Sequence, residues 1–268
     1  MTLLFCDVRG FTTISEQFDA QGLTSLINKL LTPLTNVILE RKGTVDKYMG
    51  DCIMAFWNAP LDDPEHAKHG CLSALAMLAE MDPLNDRLEI EAKEEGRKHI
   101  PLKVGLGLNS GECVVGNMGS DQRFDYSVLG DTVNLAARLE GQSKNYGVRV
   151  VIGHSTWTAV PTLATVELDF IQVKGKTEGV RIFALVGGEE MAQDEHFKSF
   201  KAKVDEMLAI YKSQDWDGAR KAINEARELG EPYDIDETFY TLYEDRIKAY
   251  EENPPGEDWD GVFVATSK

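Results

Sequence analysis

Apolar positions along the chain change period several times, and each change marks an element. Leu3 to Cys6 is a short apolar run of strand composition, although four residues alone fit a core helix equally well. From Gln21 to Lys42, Leu23, Leu26, Ile27, Leu30, Leu31, Leu34, Val37 and Ile38 keep helical spacing, interrupted only by Pro33, where a kink is allowed. Gly43 ends that helix, and GTVDKYMGDCIMAFW then predicts two strands around a Gly-Asp turn. Asp62 to Met81 carries Ala67, Cys71, Ala74, Leu75 and Leu78 on one side and predicts a second helix; Asp82 to His99 is polar and fits loop or helix. LKVGLGLNSGECVVGNMGS alternates apolar with small residues around Asn109-Ser110-Gly111, a long hairpin signal. DTVNLAARLEGQS follows as a helix opening at Asp131 or Thr132. RVVIG is a strand, HSTWTAV a short helix, and Leu163 to Val186 reads as antiparallel sheet around KGKTEG.

This order predicts an α+β fold, a largely antiparallel sheet with helices on one face. Around Gly187 to Asp194 the composition shifts, so we expect a domain over residues 1–187 and a small helical C-terminal extension over 188–268. In the extension, YKSQDWDGARKAINEA resembles half of a tetratricopeptide-type helix pair without a second copy. One pair cannot bury itself, so it should pack on the sheet domain or on a partner. NPPGEDWDGVFVATSK closes the chain as a Pro-rich turn and an extended segment.

Charge narrows the function classes. At 268 residues with a formal charge of -17, the chain is a poor nonspecific ligand for nucleic acid or anionic lipid, and it repels nucleotides unless metal ions or local cations intervene. Cys6, Cys52, Cys71 and Cys113 show neither a CxxC pair nor zinc spacing, which points to a reduced, cytoplasmic setting without disulfides. No signal segment is visible, and no apolar run approaches the roughly 18 residues of a membrane span. A strand begins almost at Met1, as expected of a piece cut from a longer protein.

Several stretches carry possible chemistry. Asp7 follows an apolar strand, where an unpaired carboxylate costs several kcal/mol, roughly, so it needs a partner. Asp51, at a Gly-Asp turn between two apolar strands, is a candidate companion; together they suit a hard divalent cation, whereas either alone would be an ordinary turn or edge acid. The loop Val8-Arg9-Gly10-Phe11-Thr12 leads into TTISEQF, where hydroxyls and free helix-start amides can hold phosphate oxygens; ordinary capping by Thr13 or Ser15 would leave the same letters. Asn134 and Arg138 stand four residues apart on one helix face among small apolar residues. The arginine needs an anion there, either Glu140 or Glu112 or a developing charge on a phosphoryl group. KGKTEG is a basic turn that could neutralise a terminal phosphate beside such a site.

Four motifs, FCDVRGFT, KYMGD, VLGDTVNLAARLE and VKGK, in this order and at these separations, closely resemble the catalytic domain of class III nucleotidyl cyclases. The resemblance runs from Leu3 to about Val186. It implies a ferredoxin-like core working as a head-to-tail homodimer with active sites shared between subunits. Asp7 and Asp51, helped by the Val8 carbonyl, would hold two Mg2+ or Mn2+ ions. From the other subunit Asn134 would orient the ribose, Arg138 would stabilise charge at the α-phosphorus, and Lys174 would hold the distal phosphates. At the positions that read the base stand Lys47 and Ser127; lysine can donate to adenine N1 and serine can accept from the exocyclic amine, which favours ATP. Many relatives carry Asp or Thr at the serine position, so adenine discrimination should be looser. The implied activity is that of an adenylyl cyclase, cytoplasmic and attached in the full protein to an N-terminal membrane sensor region. The rival readings are a guanylyl cyclase, a catalytically silent nucleotide-binding or dimerisation module, and a scaffold built around the C-terminal helices. Silence should cost a metal acid or the arginine, and this chain keeps Asp7, Asp51, Asn134 and Arg138.

Overall fold

The computed structural model describes residues 1–172, 179–256 and 258–264. The chain divides into two compact units, Met1–Glu140 and Gly141–Lys268. The first unit opens with β1 (Thr2–Val8) and the short helix α1 (Phe11–Ser15), followed by α2 (Ala20–Glu40). The hairpin β2 (Thr44–Met49) and β3 (Cys52–Trp57), then α3 (His66–Glu94) and β4 (Val104–Ser110), come next. The strands β5 (Val114–Ser120) and β6 (Arg123–Leu129) precede α4 (Asp131–Asn145), whose last turn crosses into the second unit.

β1 is flanked by antiparallel neighbours on both sides, β3 and β4, and β2 pairs with β3. Those neighbours cover its edges, and its faces are covered by packing: Leu3 and Phe5 lie in a core cluster with Val128 and Ala136, and α3 packs on β1. That explains why Leu3, Leu4 and Cys6 form a continuous apolar run and are buried. α2 is started by Asp19, whose carboxylate accepts from the Gly22 amide, and it lays Leu26, Leu30, Leu34, Val37 and Ile38 into the core. Pro33 lies inside this helix and Pro83 inside α3. The polar stretch after Met81 resolves as helix because Leu84, Leu88 and Ala92 continue the buried face. That helix starts at His66, later than the sequence suggested.

Two expectations are corrected. The alternating stretch from Leu102 to Ser120 is not a hairpin about Asn109-Ser110-Gly111: β4 pairs with β1, whereas β5 pairs with β6. The alternation was real, but RFDYSVL supplied a closer partner strand, and that strand was not recognised. Neither Thr13 nor Ser15 caps α1; the N-cap is Gly10 in the left-handed region (φ 68°), with no side-chain cap, and the Ser15 hydroxyl donates to the Thr12 carbonyl within the helix.

The second unit contains β7 (Val150–Gly153), α5 (His154–Ala159), β8 (Ala164–Gln172) and β9 (Val180–Gly187). It continues with α6 (Glu189–Gln193), α7 (Glu195–Lys212), α8 (Trp216–Gly230), α9 (Glu237–Glu252) and the two-residue β10 (Phe263–Val264). β9 lies antiparallel between β7 and β8, and β10 adds parallel to β8. Asp194, Asp215 and Asp236 cap α7, α8 and α9 with their side chains. α7 and α8 pack on each other, and α7 also packs on β8, so the lone helix pair does bury its face.

A buried polar cluster ties α9 to β8. Arg246 donates to the Asp169 carboxylate at 2.6 Å, as does the Tyr146 hydroxyl at 2.6 Å, and the Tyr243 hydroxyl donates to the Leu168 carbonyl. The Phe263 ring covers the guanidinium, 3.5 Å from centroid to Cζ. Burial pushes the Tyr146 and Tyr243 phenols well above their usual values, so both remain donors. Arg246→Met should therefore destabilise the chain by about 3–5 kcal/mol in urea unfolding, because Asp169 is left buried without its cation. A loss below about 1 kcal/mol would mean that the cluster is not what fastens α9.

Candidate active site

The carboxylates named from the sequence meet through strand register. Cys6 on β1 faces Ile53 on β3, and Met49 faces Cys52 across the β2–β3 turn formed by Gly50 and Asp51. Following β1 outward from Cys6 therefore brings Asp7 next to the residues of that turn. Gly50 takes φ 67°, a left-handed conformation that side chains other than glycine's rarely adopt, and this tight turn lets Asp51 reach Asp7. The two carboxyls are close enough to act on each other electrostatically. Partial burial, then the Asp51 charge, then the Asp7–Asp51 hydrogen bond push Asp7 up to about 6, against a smaller opposing effect of the Val8 amide.

A third carboxylate was not foreseen in this role. Glu140, near the end of α4, is pushed up to about 7 by burial and then by the Asp7 charge, with Arg9 opposing and Asp51 adding. Gly107 on β4 explains its position: a Cβ there would stand 2.0 Å from the Glu140 amide nitrogen, so the glycine lets α4 approach the sheet. The signal in the sequence was the glutamate closing NLAARLE, which was read only as a salt-bridge partner for Arg138.

The donor set fits a hard divalent cation. Asp7 and Asp51 offer paired oxygens, whereas burial holds the Cys6 thiol well above its usual value and Cys52 up to about 12, so both stay protonated and are poor ligands. Among the described residues no group of three His, Cys, Asp or Glu side chains converges on one ion position. Two carboxylates leave room for water and phosphate oxygens, which suits magnesium or manganese.

The remaining candidates, Lys174 apart, are distributed around unit one. Phe11 and Thr12 begin α1, whose first turn no side chain caps. Asn134 is exposed on α4. Arg138, half-buried on the same helix, keeps its Nη1 without a hydrogen-bond partner among the described residues, so neither Glu140 nor Glu112 satisfies that atom. Lys47 on β2 and Ser127 on β6 are joined through Asp46, which accepts from the Ser127 hydroxyl at 2.8 Å and lies 3.2 Å from the Lys47 ammonium. Lys174 lies outside the described residues. A cleft of about 860 Å³ between α2 and α3 contains none of these side chains.

Residues 1–187 match the family described as the adenylate and guanylate cyclase catalytic domain. The chain belongs to that family. It is 31% identical over 189 residues to adenylate cyclase 1 of Rhizobium meliloti, a match covering 70% of this chain and 27% of that protein. It is 35% identical over 188 residues to the adenylate cyclase of Anabaena cylindrica, covering 68% of this chain and 36% of that protein. The chain thus spans roughly a quarter to a third of these relatives. Among solved structures, the adenylyl cyclase CyaB from P. aeruginosa is similar with a TM-score of 0.62 at 33% identity, covering 70% of this chain and 93% of that one. The guanylyl cyclase Cya2 is similar with a TM-score of 0.60 at 30% identity, covering 70% and 91%. The fold is that of the class III cyclase domains. No helix among the described residues is long and apolar enough to cross a membrane.

The raised carboxyls set a pH dependence with a definite sign. Asp7 and Glu140 bind protons more tightly folded than unfolded, so in chelator their contribution to stability is full below about pH 4 and is lost as pH rises through 6 to 7. Asp51→Asn, which removes charge from the cluster, should raise the melting temperature in chelator at pH 7 by a few degrees, roughly. Manganese should raise the melting temperature of the unmodified chain and have little effect on the variant. An equal manganese shift in both would show that Asp51 holds no ion.

Proposed function

We propose that this chain is an adenylate cyclase that converts ATP to 3',5'-cyclic AMP and pyrophosphate for second-messenger signalling. The observation that supports this reading most is the pairing of Asp7 with Asp51: the effects acting on Asp7 include no side-chain cation among the described residues, and two carboxylates held together in this way make sense as a divalent-ion site. Bound there, two Mg2+ or Mn2+ ions would neutralise the triphosphate and ease loss of the ribose 3'-hydroxyl proton. Asp7, Asp51 and the Val8 carbonyl would hold them.

The other groups bind and orient. Asn134 positions the ribose, and the unsatisfied Nη1 of Arg138 supports a role in stabilising charge at the α-phosphate as pyrophosphate leaves. Phe11 and Thr12 approach the phosphates through their amides, and Lys174 neutralises the distal end. Cyclisation by a tethered hydroxyl requires positioning and electrostatic stabilisation, and no protein nucleophile. The similar solved structures include a guanylyl cyclase, so overall likeness does not decide the base. Lys47 and Ser127 do favour ATP, since the pair offers a donor to N1 and an acceptor to the 6-amino group.

Exposed Val114, Phe124 and Leu129 on β5 and β6, with Tyr48 and Met49 at the tip of β2, support a homodimer in which Asn134 and Arg138 of one subunit serve the carboxylates of the other. The cyclase domain is read as residues 1–187 and the helical extension as 188–268. A cytoplasmic position and an N-terminal membrane sensor in the full protein remain expectations of the resemblance.

Purified chain with manganese should turn ATP into cyclic AMP identified by mass spectrometry, and GTP more slowly. Asp7→Ala and Arg138→Ala chains, each inactive alone, should regain activity at one of two sites when mixed. Failure of verified mixed dimers to recover turnover would contradict shared sites, and absence of any cyclic nucleotide would contradict the activity.

A further inference from the structure

The carboxylate of Asp46 has no exposed surface, so it cannot touch a nucleotide. It is nonetheless wedged between the two side chains read as facing the base. Its Oδ2 accepts a hydrogen bond from the Ser127 hydroxyl at 2.8 Å. Its Oδ1 lies 3.2 Å from the Lys47 ammonium, an ion pair, and has no hydrogen-bond partner among the described residues. A buried carboxylate is costly to maintain, and a β-strand position beside an exposed lysine does not require one.

We propose that Asp46 sets the purine preference of the site by fixing the direction of the Ser127 hydroxyl proton. The proposal rests on the reading that Lys47 and Ser127 face the base. A serine hydroxyl has one proton and can serve a substrate as donor or acceptor, so serine alone does not distinguish an amine from a carbonyl. Here the proton is committed to an anion, in a charge-assisted bond that is stronger than a neutral one. Only lone pairs remain to face the ligand. Lys47 has donors and no acceptor. Together they present an acceptor opposite position 6 and a donor opposite N1, the complement of adenine. Guanine meets a mismatch at both points, because O6 faces lone pairs and N1–H faces an ammonium. Asp46 is thus a positioning residue: it acts on specificity through Ser127, without contact with substrate.

The location agrees with this role. Ser127 is itself buried, 8% exposed, and pairs with Gly116 across the β5–β6 ladder, so its backbone is fixed and only its hydroxyl rotor is free. Asp46 sits on β2 at the register shift between Val45 and Lys47, an irregularity that places two successive charged residues where strict alternation would separate them.

The decisive variant is Asp46→Asn, whose carboxamide can offer Ser127 an N–H and release the hydroxyl proton toward the ligand. The ratio of kcat/KM for ATP to that for GTP should fall about tenfold or more, the worth of one hydrogen bond, while circular dichroism and dimer mass stay those of the unmodified chain. A merely structural role would lower both nucleotides alike, and an unchanged ratio overturns the proposal. In a Ser127→Ala background, Asp46→Asn should leave the ratio where Ser127→Ala put it; a further fall of the same size also overturns it. A test on the unmodified protein needs no folded variant: N6-methyl-ATP and the 6-methoxypurine riboside triphosphate differ only in N–H against O at position 6. The first should be turned over about tenfold better, and equal turnover overturns the proposal. Lys47→Glu with Ser127→Cys separates the two levels. If that pair leaves the ATP to GTP ratio unmoved, the base-reading assignment itself falls; if the pair moves the ratio and Asp46→Asn does not, only the role of Asp46 falls.

Discussion

Two carboxylates that repel each other are held side by side at the ends of neighbouring strands, and much of the first unit serves to keep them there. Asp7 is carried by a strand paired on both edges, and Asp51 by a turn in which Gly50 adopts the left-handed conformation that glycine favours. Burial and the Asp51 charge push Asp7 up to about 6, so the repulsion is a cost of the fold that a divalent ion would convert into binding energy. Glu140 deepens the same acidic field from α4, and it can do so only because Gly107 lets the helix approach.

This constraint reconciles a net charge of -17 with the polyanionic substrate proposed for the chain. Uniformly acidic surfaces repel triphosphates, whereas a site whose acids are occupied by cations reverses the local sign. On the proposed reading, base selectivity rests on the directions of the donors and acceptors that Lys47 and Ser127 present. In the proposed site, Asp46 and Ser127 would work on a different scale from Asp7 and Asp51: one hydrogen bond would decide the base, while whole charges would decide whether a nucleotide binds at all. Helix α9 is fastened to β8 by another use of buried charge, the Asp169–Arg246 pair, whose attraction and hydrogen bonds offset part of its desolvation.

Elements with strong local periodicity were legible in the sequence. The apolar ladder of α2 and the runs flanking Gly50-Asp51 have one reading each, and the motif residues Asp7, Asp51, Asn134 and Arg138 stood out against their apolar surroundings. What was missed depends on long-range pairing. Nothing within Leu102 to Ser120 says that β4 must seek β1, more than ninety residues earlier, because alternation specifies a face and not a partner. Glu140 and Asp46 were passed over for the same reason. Each looks like a solvated acid near a basic residue, and the positions they take arise only when Gly107 brings α4 to the sheet and when β6 brings Ser127 to β2.

The most direct measurement of the central claim is anomalous diffraction from crystals soaked with manganese and a non-cyclisable ATP analogue. The account predicts manganese peaks bridging the Asp7 and Asp51 carboxylates and the phosphates, within ordinary metal–oxygen distance of about 2.0–2.3 Å. Carboxylates with no ion between them while nucleotide is bound, or manganese held elsewhere, would contradict it.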